Sequence, residues 1–425
     1  MDDFRTAGAD RPATVDLRPH ANALLHDPNP VYAKFLEQGP VHWAIQPDGT
    51  EAWLVLGYPE AKAALAHPAL SSNPVHATPQ WRAHFLGDPD TTEFPHGRNM
   101  LNSDPPEHTR LRKPTTQAFT PRRIEALRAT VEEHTARLLR ALPPQAPFDL
   151  VDDFAAPLTL SMICDVLGVP DLDHGRIREW ADRVSFPAAP QDAIAARQEL
   201  IPYFDQLISE KRVRPGTGLF DALLHTTDVD PLSHEELRAT AFLLLLAGHE
   251  TTIGLLSNAV LCLLTHPDQL ALLRANPALV DQTVNETLRL TPPAPSPFPR
   301  FAREDLTLGP TAIPGDGSQV KIVISSAQRD PRQFPAPHTF DINRPASYLL
   351  AFGHSIHGCP GRSLAHLEAA VALPALLEHF PDLALAAPSD ALTWRTGPLL
   401  RALSHLPCRA HATSSRPAAA SARNR

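Results

Sequence analysis

The stretch that most limits how this chain can fold runs from Ser233 to Thr265. Ser233-His234-Glu235-Glu236 sets a hydroxyl three residues ahead of a carboxylate, the form of a capping box, and so opens a helix. His266-Pro267 closes it, because proline disfavours helical backbone at the residue before it. At ~1.5 Å per residue such a helix is on the order of 50 Å long. Ala241-Phe242-Leu243-Leu244-Leu245-Leu246 makes it apolar nearly all round, which predicts burial on every side. A buried rod of that length needs a large domain around it. Within it Gly248-His249-Glu250-Thr251-Thr252 is out of place. Glycine costs ~1 kcal/mol of helix stability, and threonine hydroxyls can bond to carbonyls one turn earlier. The five residues read either as a kink with a polar patch or as an acid and an alcohol delivered to the middle of a dry core. His249 reads as outward-facing or structural.

The rest of the chain supplies helices to surround that rod. Helical patterns cover Pro121 to Leu142, Phe154 to Leu167, Gly175 to Val184 and Asp192 to Val213. Val41 to Gly57 reads as a β-hairpin turning at Pro47-Asp48-Gly49, with a short helix from Glu60 to Ala66, and β character returns at Val320 to Ser325. Ser71 to Leu101 shows no sustained period and reads as a long loop of the kind that is commonly functional. The class is therefore mainly α with minor β. No glycine/serine linker or repeat divides the 425 residues, so the expected organisation is one domain over residues 19–410, with disordered ends at 1–18 and 411–425.

Composition excludes several roles. The 43% hydrophobic content suits a soluble globular protein, and a net charge of −9 gives no support to nucleic-acid binding. Met1 is followed by Asp-Asp-Phe-Arg-Thr rather than an apolar run, and the longest apolar run, Ala241 to Gly248, is too short to span a bilayer. Cys164, Cys262, Cys359 and Cys408 are scattered without a CxxC pair, which suggests a reduced, cytoplasmic protein.

One cysteine stands apart. Ala351-Phe352-Gly353-His354-Ser355-Ile356-His357-Gly358-Cys359-Pro360-Gly361-Arg362 places Cys359 among glycines and just before a helix marked by Leu364, Leu367, Val371 and Leu377. Helix N-terminal amides favour a thiolate, and a thiolate on a rigid loop is what an axial iron ligand requires. A structural cysteine before a helix is the plainer reading of the loop alone.

The loop resembles the haem-binding loop of the cytochromes P450, whose pattern falls on Phe352, Gly353, His357, Cys359, Gly361, Leu364 and Ala365. Three further motifs follow the same family in the same order. Ala247-Gly248-His249-Glu250-Thr251-Thr252 is similar to its oxygen-activation motif. Glu286-Thr287-Leu288-Arg289, with Arg344, is similar to its buried ExxR network. His108 and Arg112, four apart on a helix begun by Pro105-Pro106, and Arg300 match its haem-propionate contacts. The resemblance extends from about Pro30 to Pro407 and implies the triangular P450 fold, with haem b between the long helix and the helix after the Cys loop.

In that reading Cys359 ligates the iron, with His108, Arg112, Arg300 and His357 on the propionates. Phe352 and Gly361 shape the loop, Ala247 with Gly248 makes room above the haem, and Thr251 with Glu250 handles protons. Ser355 stands where the family has glycine, so a positive φ there would store strain of order 1 kcal/mol. Pro114 predicts a kink or early end to its helix. The resemblance implies a monomeric monooxygenase using O2 and NAD(P)H electrons carried by a ferredoxin and its reductase. Arg110, Lys113, Arg122, Arg123 and Arg362 would form a basic docking face for that ferredoxin. A peroxide-driven P450 and a non-catalytic P450-like partner are the other readings. Pro292-Pro293-Ala294-Pro295-Ser296-Pro297-Phe298-Pro299 offers apolar pocket walls without charge, which suggests a largely apolar natural-product substrate; neither membrane nor nucleic acid is expected as a partner.

Overall fold

The computed structural model describes residues 14–94, 96–216, 218–224, 230–345, 349–397 and 399–409. The expected tail after residue 410 and residues 1–13 lie outside these. Val15–Asp16, inside the stretch expected to be disordered, forms a strand (β1), and Leu17 beside it is fully buried. It pairs in parallel with β2 (Val41–Ile45), Val15 opposite Ala44. β2 and β3 (Glu51–Val55) form the expected hairpin, with Trp43 opposite Trp53 and their rings 5.3 Å apart. Short strands β4 (Leu70–Ser71), β5 (Arg300–Ala302) and β6 (Gln319–Ile322) complete a mixed sheet in the order β1-β2-β3-β6-β5-β4. β6 ends where Ile324–Ala327 turns helical, earlier than the β pattern suggests.

Helices carry the rest. The 71–101 segment is not a continuous loop: α1 (Pro79–Leu86) starts at Thr78, whose hydroxyl accepts the Trp81 N–H at 3.2 Å. The Thr-Pro pair is a cap followed by proline at the first helical position, a start signal that needs no apolar period. α2 (Glu107–Ala118) runs through Pro114 instead of ending there, its last turns held by burial of Pro114, Thr115 and Ala118. The expected 121–142 helix divides into Pro121–Glu125 and α3 (Arg128–Ala141). α4 (Ala156–Leu167), α5 (His174–Ser185) and α6 (Pro190–Val213) follow.

The central rod is α7, His234–Thr265, 32 residues long. Its capping box forms as read, with Ser233 Oγ accepting from Glu236 N–H at 3.2 Å and Glu236 Oε2 accepting from Ser233 N–H at 2.8 Å. Packed against it are α4, α6, α8 (Val280–Leu290), α9 (Arg362–His379) and strand β8 (Arg401–Leu403), which pairs with β7 (Trp394–Thr396). By length and composition α7 could cross a membrane, but 72% of its most apolar window is buried inside the protein. It is a core helix. The main apolar cluster unites α3 to α9, and a second lies on the mixed sheet.

Candidate active site

The Cys loop is shaped by its own backbone. Gly353 adopts φ +73° and Ser355 φ +62°, so the serine occupies the left-handed backbone that the sequence reading flagged. The Cys359 N–H donates to Phe352 O at 2.7 Å and the Gly358 N–H to Ser355 O at 3.0 Å, closing the loop below Cys359. Cys359 is the exposed member of the four cysteines, just ahead of α9. Enough protein surrounds it for burial to push its thiol above the ordinary range, opposed by the N–H groups of Gly361 and Arg362 and by the Arg112 guanidinium. The helix-end amides thus act in the expected direction but do not prevail. The Arg362 guanidinium lies over the Phe352 ring, 5.4 Å from its centroid.

A buried ionic network stands behind this loop. Arg289 meets Glu286 with two hydrogen bonds, 2.8 and 2.9 Å, and both side chains are 3% exposed. Arg344 Nε adds a bond to Glu286 at 3.1 Å, and Arg289 donates further to the carbonyls of Gln328, Pro337 and Thr339. Sequence reasoning missed Gln328. Its buried amide accepts the N–H groups of Leu350 and Ala351 at 2.8 and 3.1 Å and donates to Leu288 O at 2.9 Å. This one side chain ties α8 to the start of the Cys loop. A lone glutamine has no period or spacing that could have marked it.

Four nitrogen-bearing side chains converge beside the loop. The His108 and His357 rings sit 4.5 Å apart, and Ser72 Oγ is 3.1 Å from His357 Nε2. Arg112 donates to Gly358 O, and Arg300 to Phe298 O at 3.0 Å. Burial together with Arg300, His108 and Arg112 holds His357 down to about 2, and burial with Arg112 lowers His108. Burial also lowers Arg300, to about 10. Asp104, already bound to Ser71 Oγ and to the Ser72 N–H at 2.9 Å, is a carboxylate acting on His108 and Arg300. Both ring nitrogens of His108 are buried and neither makes a well-formed hydrogen bond among the described residues, although the Ile356 backbone lies close enough to act on the ring. Such a cluster is short of anions, and the two propionates of a haem would supply them. A thiol on one side and an anion-seeking cluster beside it fit haem well.

On α7 the out-of-place residues resolve into two sides. Ala247 is exposed, with Leu243 and Thr251 half-buried one turn either way and Leu246 and Gly248 half-buried beside it, an open stripe in the middle of a helix whose other partly exposed residues lie toward its ends. Thr251 Oγ1 donates to Ala247 O at 2.5 Å and Thr252 Oγ1 to Gly248 O at 3.2 Å. Gly248 serves a different neighbour from the one expected. A Cβ there would lie 2.8 Å from Ile163 Cδ1, so its bare Cα lets α4 approach. His249 is not outward-facing. It is 1% exposed, with Nδ1 3.1 Å from Thr159 Oγ1 on α4 and Nε2 3.7 Å from Glu250 Oε1. Burial pushes the Glu250 carboxyl up to about 7, and Glu250 Oε2 has no partner among the described residues.

A family profile described as Cytochrome P450 matches residues 184–385. The chain is 43% identical over 402 residues to cytochrome P450 monooxygenase PikC of Streptomyces venezuelae, covering 94% of each protein. The chain belongs to the cytochrome P450 family. It is also 42% identical over 385 residues to the 6-deoxyerythronolide B hydroxylase of Saccharopolyspora erythraea, covering 89% of this chain and 95% of that one. The tirandamycin C-bound P450 monooxygenase TamI matches the fold with a TM-score of 0.86 at 40% identity, covering 93% of this chain and all of TamI. The P450 fold, mainly α with small sheets, is therefore as the sequence suggested, and the protein is a P450 monooxygenase whose cofactor is haem b.

Proposed function

We propose that this P450 inserts one atom of O2 into a largely apolar organic substrate in natural-product biosynthesis, by hydroxylation or epoxidation. The other oxygen atom leaves as water, and NAD(P)H supplies the two electrons through a ferredoxin reductase and a ferredoxin. The observation that carries this reading is the pairing of an exposed Cys359 with a largely buried cluster of two arginines and two histidines whose His108 ring nitrogens lack a well-formed hydrogen bond. Haem, when bound, supplies O2 activation and oxygen transfer. Cys359 holds the iron, His108, Arg112, Arg300 and His357 hold the propionates, and Phe352 and Gly361 hold the loop.

Protons are the concern of α7. A carboxyl near 7 can both take and give a proton at neutral pH, and Glu250 sits one residue from a hydroxyl on the exposed stripe. Glu250 gathers the proton and Thr251 presents it at its Oγ1; this pair supports the O2-driven route over a peroxide-driven one. The names of the relatives, the 6-deoxyerythronolide B hydroxylase and the tirandamycin C-bound TamI among them, support a natural-product scaffold as substrate.

Electrons enter in this reading from a ferredoxin docked on the exposed Arg122, Arg123 and Arg362. Arg110 does not belong to that face, because it is bound to Glu107 and to Glu236 of the α7 cap. The protein acts as a cytoplasmic monomer. The test is the reduced carbon-monoxide difference spectrum of the purified protein. The red-shifted Soret band of thiolate-ligated haem is expected, and its absence from protein that is folded would overturn the reading.

A further inference from the structure

Where α4 crosses the central helix, the two approach closely enough to make one specific polar contact. Thr159 and Ile163 stand four apart on α4 and so share a face. Ile163 lies against Gly248, and Thr159 meets the next residue of α7, His249. Thr159 and His249 are each 1% exposed, with Thr159 Oγ1 3.1 Å from His249 Nδ1. The bare Cα of Gly248 thus lets α4 come near enough for the hydroxyl to reach the ring.

That contact decides where the ring carries its hydrogen. The Thr159 hydroxyl has one proton to give, and it donates to Ala156 O at 3.3 Å, one turn back on α4. Toward His249 it can only accept, so Nδ1 bears the N–H. Burial, with Arg178 and Arg395, holds His249 down to about 3, so the ring is neutral at pH 7 and Nε2 keeps a bare lone pair. Nε2 faces Glu250 Oε1 at 3.7 Å, with both side chains buried, a gap that a small rotation of the carboxyl closes. A lone pair in that place opposes an ionised carboxylate and accepts from a protonated one. The charged groups that act on Glu250 come from α5 and β7 and are already engaged: Arg395 pairs with Asp182 at 2.6 Å and Arg178 with Asp152 at 2.5 Å.

We infer that His249 is a positioning residue for the proton on Glu250. Fixed by Thr159 as the tautomer with a bare Nε2, it accepts the Glu250 hydroxyl and holds the proton on Oε1, leaving Oε2 without a partner among the described residues. The line of donors runs from Glu250 through His249 and Thr159 to the α4 backbone. The opposite tautomer would donate to the carboxylate and favour its ionised form, so residue 159 reaches the relay through the ring. This deepens the proposed function and rests on Glu250 as the residue that gathers protons for Thr251.

The test follows the protonated Glu250 carboxyl of the holoenzyme by its infrared C=O band as pH is raised, the band being assigned by its loss in Glu250→Gln. Thr159→Val removes the acceptor for Nδ1 and frees the ring to carry its hydrogen on Nε2, so the midpoint of the band should fall by about one pH unit. Thr159→Ser keeps a hydroxyl and should keep the wild-type midpoint. In His249→Phe there is no tautomer to change, so adding Thr159→Val should move the midpoint no further. The carbon-monoxide spectrum and thermal unfolding establish that each variant is folded and haem-loaded. Nitrogen-15 NMR of the wild-type ring, assigned by its absence from His249→Phe, should place the hydrogen on Nδ1 and needs no variant at position 159 to fold. A hydrogen found on Nε2, a midpoint that Thr159→Val leaves in place, or a fall that Thr159→Ser or the His249→Phe background reproduces would overturn the inference. Wild-type turnover by Glu250→Gln would defeat the proton-relay reading instead, and the infrared midpoint would still report on His249.

Discussion

The two sides of this molecule treat polar groups in opposite ways. Behind the Cys loop, Glu286, Arg289, Arg344 and Gln328 are buried or nearly so and satisfied several times over. On the cleft side, Glu250 Oε2, His96 Nδ1 and Arg197 Nε are buried with no partner among the described residues, and the His108 ring has no well-formed hydrogen bond. A satisfied buried network fixes geometry, because removing one member strands the others. An unsatisfied one marks where a ligand or a proton is expected. The bookkeeping separates these named residues and not whole surfaces, because Asn285 Oδ1, Thr287 Oγ1 and Arg329 Nε, beside the network, are also buried without a partner among the described residues.

Breaking the scaffold side should have the largest effect. Glu286→Ala leaves Arg289 and Arg344 buried without their carboxylate, and losing one partner of a buried pair costs about 3–5 kcal/mol. The variant should show little folded, haem-loaded protein when haem content and urea unfolding are measured. Near-normal values would mean that the network is dispensable.

Glu250 tests the cleft side through pH. Its folded-state value of about 7 lies above the ordinary carboxyl value of 4.5, so the fold favours the protonated form. The stability this gives is present below pH 4.5 and is lost as pH rises through 7, by roughly 3 kcal/mol at most. Glu250→Gln cannot ionise. Relative to wild type it should gain stability between pH 5 and pH 8 in urea unfolding; parallel curves for the two proteins would show that Glu250 is not strained by burial.

Those two sites are legible in the sequence to different degrees. The Ser233 capping box, the apolar run and the Cys359 loop declare themselves because their signals are local: a three-residue spacing, a period, a cluster of glycines. The ExxR pair is local too, though only the fold shows that it is buried. Gln328 was invisible because its partners lie 22 and 40 residues away. Burial of His249 depends on which face of α7 meets Thr159 of α4, and an apolar helix with no polar side gives no clue to that. Arg110 looked like a docking residue until tertiary packing brought Glu236 to it.

Smaller effects sharpen the comparison. Gln328→Leu strands the N–H groups of Leu350 and Ala351 and should cost roughly 1–3 kcal/mol, visible as a lowered thermal midpoint with loosened haem retention. An unchanged midpoint would remove Gln328 from the scaffold. Ser355→Gly relieves left-handed backbone worth about 1–2 kcal/mol, offset in part by the freedom glycine gains in the unfolded chain. A gain below about 1 kcal/mol is expected in urea unfolding, and a clear loss would mean that the Ser355 side chain itself supports the loop.

The contrast between the two sides is tested most directly by a crystal structure of the enzyme purified with its haem. The account predicts propionate oxygens within hydrogen-bond distance of a His108 ring nitrogen and of the Arg112 and Arg300 guanidinium groups, with the Glu286–Arg289–Arg344 network unchanged. Propionates turned to solvent, with the His108 ring still unpartnered, would contradict it.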